Sequence, residues 1–321
     1  MAGPSAVFTE MVSTTLRNMD TTPVDNVTKH NALLTLMKKK GNIKKTSGGY
    51  ELQKPLIYNE TGNYTRFSGY GEIPTSQQPV ITSAKYEWRE IALSVQCSYK
   101  ELNQNNSKEA MIKLKDVRIK AAMATAANNF SVDLYSDGTE ANQIGGLAHI
   151  IQDNGQGTVG DIDSSTETWW QNDYQELAGT DAGTYSALRA GMNSLWLRLN
   201  RGLDKPELIV MSHDFYSTFE GGLQDLQRYG DATTGDLGFE SLKYKTANVV
   251  FDDNANFGTT AEKAYMLNLD YLELEQHTNA SWKQDGERTP VNQMAVVIPI
   301  YWMGNLCCTN RDLQGVVIDA A

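Results

Sequence analysis

NSKEAMIKLKDVRIKAAMATAANNFSVDLY, residues Asn106 to Tyr135, decides the fold. Asn106 and Glu109 stand as a capping-box-like pair, and behind them Met111, Leu114, Val117, Ala121 and Ala124 recur at three- to four-residue spacing. A second apolar row, Ile112, Ile119, Met123, Ala126 and Phe130, runs beside the first. The spacing predicts the longest helix of the chain, closed by Ser136, Asp137 and Gly138. Two apolar rows predict contact on two sides, with sheet against one flank of this spine and another element against the other.

Working outward toward the N-terminus, Ala84, Tyr86 and Trp88, then Ile91, Leu93 and Val95, alternate with polar residues. This predicts a long antiparallel hairpin whose inner part, Tyr58 to Gln78, is too polar and turn-rich to hold itself on a core and therefore projects. Residues 1–45 read as an arm. A short helix is expected from a cap at Asn26 through His30, Leu33, Leu34 and Met37, stopped by Lys38, Lys39, Lys40 and Gly41. With so few apolar residues, the arm must dock on something or stay unordered.

On the other side of the spine, residues 139–183 are mostly loop around Ile144 to Ile151. A helix follows from Thr184, with Leu188, Met192, Leu195 and Leu199 on one face and Gly202 as its stop. Then come a buried strand, Leu208 to Met211, and a helix capped by Ser212 that carries Phe215, Phe219, Leu223 and Leu226. Strands are expected at Asn248 to Phe251 and Tyr265 to Leu274, giving a mixed α/β unit. Met294 to Trp302 is continuously apolar, and Val316 to Ile318 closes the chain. Such strands aggregate unless covered, so this stretch is expected to pair with the hairpin base and the spine. The fold class is α+β, with two interleaved domains.

The 321 residues, 40% of them hydrophobic, suffice for one large or two ordinary domains. The net charge of −11 is uneven: residues 1–45 carry seven Lys or Arg against three Asp or Glu, the rest 21 against 36. An acidic body disfavours a continuous nucleic-acid groove and leaves the basic arm to meet phosphates or, preferably, an acidic neighbour. Cys97, Cys307 and Cys308 have no zinc or redox spacing and read as reduced, buried thiols. No run of about 18 apolar residues and no secretory start is present, and a reducing, cytoplasm-like compartment is expected.

Catalytic signals are weak. Gly155, Gly157 and Gly160 spell GxGxxG, but Asp161, Ile162 and Asp163 follow in place of an apolar helix start. Asp161, Asp163, Ser165 and Glu167 lack the central glycine and length of a calcium loop. His30, His149, His213 and His277 are scattered, and Trp169–Trp170 in a polar loop reads as packing. No GxSxG, HExxH or P-loop occurs, so no enzyme activity, metal or cofactor is expected.

The order of docking arm, extended hairpin, spine helix, inserted α/β unit and returning strand resembles the major capsid proteins of tailed double-stranded DNA bacteriophages. At residue level the resemblance rests on IGGLAHII (Ile144 to Ile151), DKPELIVMSHDFYSTFE (Asp204 to Glu220) and the segment from Leu242 to His277. It implies an HK97-like major capsid fold with an N-arm (1–45), an extended loop (46–102), a peripheral domain (103–140 and 286–321) and an axial domain (141–285). It also implies pentamers and hexamers closing into an icosahedral head in the host bacterial cytoplasm, around double-stranded DNA held without sequence specificity. Further copies of the chain are the main partners, with scaffold, portal and decoration proteins beside them and no membrane. On the loop, Lys54, Arg66 and Lys85 are expected to meet acidic groups of adjacent subunits, with Tyr64, Phe67 and Tyr70 as aromatic anchors and Lys38, Lys39 and Lys40 facing a partner. Three other readings stay open: an encapsulin-like nanocompartment shell, a soluble α/β enzyme, and a phage decoration or tail protein.

Overall fold

Asn31 opens the first described helix by accepting from the Leu34 amide at 2.8 Å. A computed structural model of the chain describes residues 31–76, 78–104, 114–177, 184–224, 242–253, 257 and 262–319. Helix α1 (Ala32–Lys40) ends at Gly41, whose φ of +82° suits the left-handed position that follows a helix. The expected stop is therefore observed, while Asn26 and His30 lie outside the described residues. The chain continues as β1 (Ile43–Thr46), which adds in parallel to β12 (Leu272–His277). The arm docks as an edge strand of its own subunit.

Strands β2 (Leu52–Ile57) and β3 (Ile81–Tyr86) form the hairpin, in register from Leu52 opposite Tyr86 to Ile57 opposite Ile81. The alternation from Ala84 to Val95 then serves two sheets. After Glu87 and Trp88 the chain re-enters as β4 (Arg89–Ser98), which pairs with the long strand β14 (Ala295–Cys308). Trp88 marks the change, donating from its indole to the Gly49 carbonyl at 3.0 Å.

After the short helix α2 (Tyr99–Gln104) comes the spine, α3 (Leu114–Asp133); its expected cap at Asn106 lies outside the described residues. Ile119 and Ala122 pack on Val95, Val296, Ile298 and Ile300, and Phe130 meets Trp302 edge-on at 5.0 Å. The two apolar rows do not give two buried flanks. Ala124, Ala126 and Phe130 are buried, whereas Ala121, Met123 and Val132 are exposed, because within one chain only the sheet side is covered.

The spine's end rests on the next segment at Gly146, where a Cβ would stand 2.5 Å from the Asp133 carbonyl oxygen. Glycine lets the backbone approach, and the Leu147 amide then donates to Leu134 O at 2.7 Å, opening the one-turn helix α4 (Leu147–Ile150). The two-residue strands β5 (Thr158–Val159) and β6 (Ile162–Asp163) follow as a small hairpin.

A five-stranded sheet has the order β1–β12–β14–β13, with β13 at Lys283–Gln284 and β4 also on β14. A six-stranded sheet has the order β7 (Asp173–Leu177), β15 (Gly315–Asp319), β11 (Lys263–Leu267), β8 (Leu208–Met211), β10 (Ala247–Phe251), β9 (Leu242–Tyr244). Alternation sorts its two faces. Ile209, Met211, Val249 and Met266 meet α5 (Tyr185–Leu199) and α6 (His213–Gln224), while Leu208, Val210, Val250 and Tyr265 join the core that contains Tyr135 and Ile150.

Three expectations need correction. Tyr265 to Leu274 is not one strand: a 3₁₀ turn at Leu269–Tyr271 passes the chain from β11 in one sheet to β12 in the other. The last strand, β15, joins the six-stranded sheet and not the sheet on the spine. The two changes share a cause, because the antiparallel ribbon β12–β14 continues as β11–β15 and both chains cross together. Buried Gln314 ties the crossing, accepting from the Asn268 amide at 3.0 Å and donating to its carbonyl at 2.9 Å. Third, Ser212 precedes α6, but its buried hydroxyl has no hydrogen-bond partner and caps nothing.

Candidate assembly surface

The hairpin presents apolar side chains that no described residue of its own chain covers. Tyr64 is 83% exposed, Phe67 60% and Tyr70 fully, and Ile57, Ile73 and Ile81 are exposed along the same projection. Residues 58–76 and 78–80 form no regular strand, and the tip is closed by polar contacts, among them Asn63 Nδ2 to Ser76 O at 2.7 Å. Scattered surface apolar groups are ordinary, but aromatics gathered on a projecting segment mark a contact surface.

The root is built differently. Leu52, Leu56, Ala84 and Tyr86 are buried in the main core, and the Tyr86 hydroxyl donates to the Cys308 carbonyl at 2.8 Å. Lys54 belongs to this root and not to the tip: its ammonium pairs with Glu273 at 2.6 Å and with Glu275, all three side chains being nearly buried. Burial opposes the Lys54 charge, but the hydrogen bonds it donates to both carboxylates raise its pKa overall. The expectation that Lys54 meets a neighbour's acid is thus corrected, since its acids are on its own β12. Lys85 stands 3.8 Å from Asp161 of the same chain. Arg66 is exposed and makes no ion pair among the described residues.

At the end of α1, Lys38, Lys39 and Lys40 are all exposed, and Lys40 pairs with Glu207 and, at 2.7 Å, with Asp270. The structure therefore gathers Tyr64, Arg66, Phe67 and Tyr70 on one tip, leaves Lys38 and Lys39 elsewhere, and pairs Lys40 and Lys54 with acids of the same subunit. Sequence reasoning missed Glu273 and Glu275. Their alternation with Leu272 and Leu274, which puts both carboxylates on one strand face, was the available signal.

The catalytic-looking motifs resolve as structural ones. Gly160 and Asp161, both at positive φ, form the turn between β5 and β6, and no helix follows to meet a pyrophosphate. Asp163 spends its carboxylate on the Ser165 amide and hydroxyl at 2.9 and 2.8 Å, which hold its pKa down. Trp170 is buried and donates to Val159 O at 2.9 Å, while Trp169 leans on Tyr58 with ring centres 5.5 Å apart. Among the described residues, no group of His, Cys, Asp and Glu is arranged to hold a metal ion. No described helix is long and apolar enough to cross a membrane.

A cleft of about 430 Å³ lies between the hairpin root and the spine's end, lined by Glu51, Lys85, Glu87, Arg89, His149 and Asn305 among others. Burial, with Arg311 and Arg89 nearby, lowers the His149 pKa. Among the described residues, no Ser or Cys lines the cleft beside it to form a Ser–His or Cys–His pair.

No family model matches the sequence, and no curated protein matches it significantly. Solved structures do match. The capsid asymmetric unit of cyanophage A-1(L) is 16% identical with a TM-score of 0.63, over 92% of this chain and 94% of that one. The capsid of cyanophage P-SCSP1u is 11% identical with a TM-score of 0.62, over 95% and 93%. The capsid of a native GTA particle is 11% identical with a TM-score of 0.57, over 94% and 95%. Matches of this extent, with the spine, hairpin and two sheets described above, show that the chain has the α+β, HK97-like fold of phage capsid subunits over nearly its whole length.

Proposed function

We propose that this chain is a major capsid protein, which self-assembles through pentamers and hexamers into an icosahedral phage head enclosing double-stranded DNA, and that it is not an enzyme. The observation that carries the reading is the full-length likeness to capsid subunits, joined to a projecting hairpin whose aromatic tip is uncovered on its own chain. A shell needs overlapping contacts between copies, and a segment that cannot bury its own aromatics supplies them. Each of Tyr64, Phe67 and Tyr70 contributes on the order of 1.5–3 kcal/mol when a neighbour buries it. Arg66 stands among them as a cation for an acidic neighbour, and Lys38 and Lys39 offer the same on the arm.

In this reading residues 1–45 are the arm and the β2–β3 hairpin is the extended loop. The spine with the five-stranded sheet is the peripheral domain, and the six-stranded sheet with α5 and α6 is the axial domain. The open flank of α3, with Ala121, Met123 and Val132, is covered in the shell. Assembly takes place in the bacterial cytoplasm with scaffold, portal or decoration proteins as partners, and the product is the virion capsid. The test is negative-stain microscopy and sedimentation of the recombinant chain, alone and co-expressed with its genomic neighbours. Closed particles or capsomer rings are expected; a monomer under every condition would refute the reading.

A further inference from the structure

The arm strand β1 and the hairpin strand β2 draw on the same carboxylate of β12. Glu273 takes Lys44 of β1 on Oε1 and Lys54 of β2 on Oε2, the latter at 2.6 Å. Glu275 holds Lys54 through Oε1 and accepts from the Thr46 hydroxyl through Oε2 at 3.1 Å. Side-chain exposure is 13% for Glu273, 9% for Glu275 and 13% for Lys54, against 53% for Lys44. The carboxylates are thus fixed on β12 in a partly dry site. Hydrogen bonds from Lys44 and Lys54 lower the Glu273 pKa despite the opposing effect of burial.

We propose that Glu273 couples the arm strand to the hairpin with negative sign, so that drawing Lys44 away from β12 tightens the body's hold on Lys54 and the hairpin. Two ammonium groups on one carboxylate repel each other and divide its charge. Removing one leaves the whole of Glu273 to the other, and Lys54 also keeps Glu275. Coupling between two binding events is reciprocal, so loosening the hairpin likewise tightens the arm. The partial burial of Lys54, Glu273 and Glu275 lets the effect survive the solvent screening that removes most surface couplings. The arm strand becomes a setting for hairpin mobility built into each subunit, whatever the subunit assembles into.

The test is hydrogen–deuterium exchange of the hairpin amides, residues 53, 54, 56, 57 and 81–86, on the purified full chain, with parent and variants in the same assembly state. In Lys44→Met, hairpin protection is expected to rise about two- to fivefold at low salt, and the gain to shrink as salt screens the pair. Lys44→Arg, which keeps the charge, should behave as the parent. Lys54→Met should lower hairpin protection; if that variant does not fold, Lys44→Met decides alone, because its half-exposed side chain can be lost without harm to the core. Hairpin protection that is unchanged or reduced in Lys44→Met would overturn the coupling, and it would leave the capsid reading untouched because the measurement does not involve assembly.

Discussion

The Arg311 guanidinium donates through Nε to the Ile150 carbonyl at 2.8 Å, from a side chain with no solvent exposure. Nη1 donates to Trp170 O at 2.9 Å and Nη2 to Asn172 Oδ1 at 3.0 Å, so two segments hang on one side chain and none of the three acceptors is a carboxylate. Burial lowers its pKa, as expected of a cation held by neutral acceptors. Arg311→Ala leaves the Ile150 and Trp170 carbonyls dry and unpaired at about 1–3 kcal/mol each, while Asn172 Oδ1 keeps the Gln152 amide at 2.9 Å, and a total loss of about 3 kcal/mol is expected in urea unfolding. Arg311→Lys, which reaches fewer of them, should fall between parent and alanine variant. A loss below about 1 kcal/mol for alanine would show that the two segments hold themselves.

Gly146 makes a second, independent demand on the same junction. A Cβ there would stand 2.5 Å from both Asp133 O and Ser136 N, which are backbone atoms at the end of a helix and have nowhere to go. Gly146→Ala is expected to cost about 3 kcal/mol or more, through displacement of α4 from the spine. Gly221→Ala, where nothing lies within 4 Å of the added carbon, is the control and should be near neutral or slightly stabilising. Thermal unfolding of both variants checks the contrast.

Much of this fold was legible because local pattern and tertiary role agree. The stop at Lys38 to Gly41, the buried strand Leu208 to Met211, and the helix from Thr184 follow from caps, charge and periodicity. The failures fall where one apolar run serves two sheets. Ala84 to Val95 and Tyr265 to Leu274 each keep a strand-like pattern while the backbone changes sheets, and alternation reports a face, not a partner. The crossing is fixed by Gln314 and Asn268, polar residues with no periodicity of their own. The destination of β15 was hidden for the same reason.

The adjacent thiols Cys307 and Cys308 are free and buried. Burial, reinforced for Cys307 by Glu275, pushes both pKa values up, that of Cys308 to about 12. The thiolate is the reactive form, so neither group should react at neutral pH. Titration of the native chain at pH 8 with an aromatic disulfide is expected to find no reaction at either position, and unfolding in urea should release both. Fast labelling of the native chain would mean that the β12–β14 ribbon opens.

Acid should find a specific weak point at the start of the spine. Arg118 donates to the Glu101 carboxylate at 2.8 Å, and this contact, against the effect of burial, lowers the Glu101 pKa below its ordinary 4.5. A depressed carboxylate pKa contributes stability that is fully present above the ordinary value and is lost as pH falls through the folded-state value. Stability measured from pH 6 down to about pH 3 should therefore fall, and Glu101→Gln should flatten part of that fall while lowering stability at neutral pH. An unchanged slope in the variant would assign the acid sensitivity to other carboxylates.

How much of the assembly surface was legible depends on what each residue touches. The aromatics of the tip were readable because no apolar neighbours in sequence could cover them, whereas Lys54 looked the same as Arg66 until the packing of the hairpin root against β12 put Glu273 and Glu275 beside it. That difference gives a test that separates assembly from folding. Replacing Tyr64, Phe67 and Tyr70 together with Ser removes no contact in the main core, so the stability of the isolated subunit should change by less than about 0.5 kcal/mol. If the tip is buried on a neighbour, the same change removes on the order of 5–9 kcal/mol from each contact and should abolish particles in sedimentation. Lys54→Met should do the reverse, loosening the subunit's own hairpin before it affects any contact between copies. Particles that still form from the triple variant would place the adhesive surface elsewhere, with the open flank of α3 the next to examine.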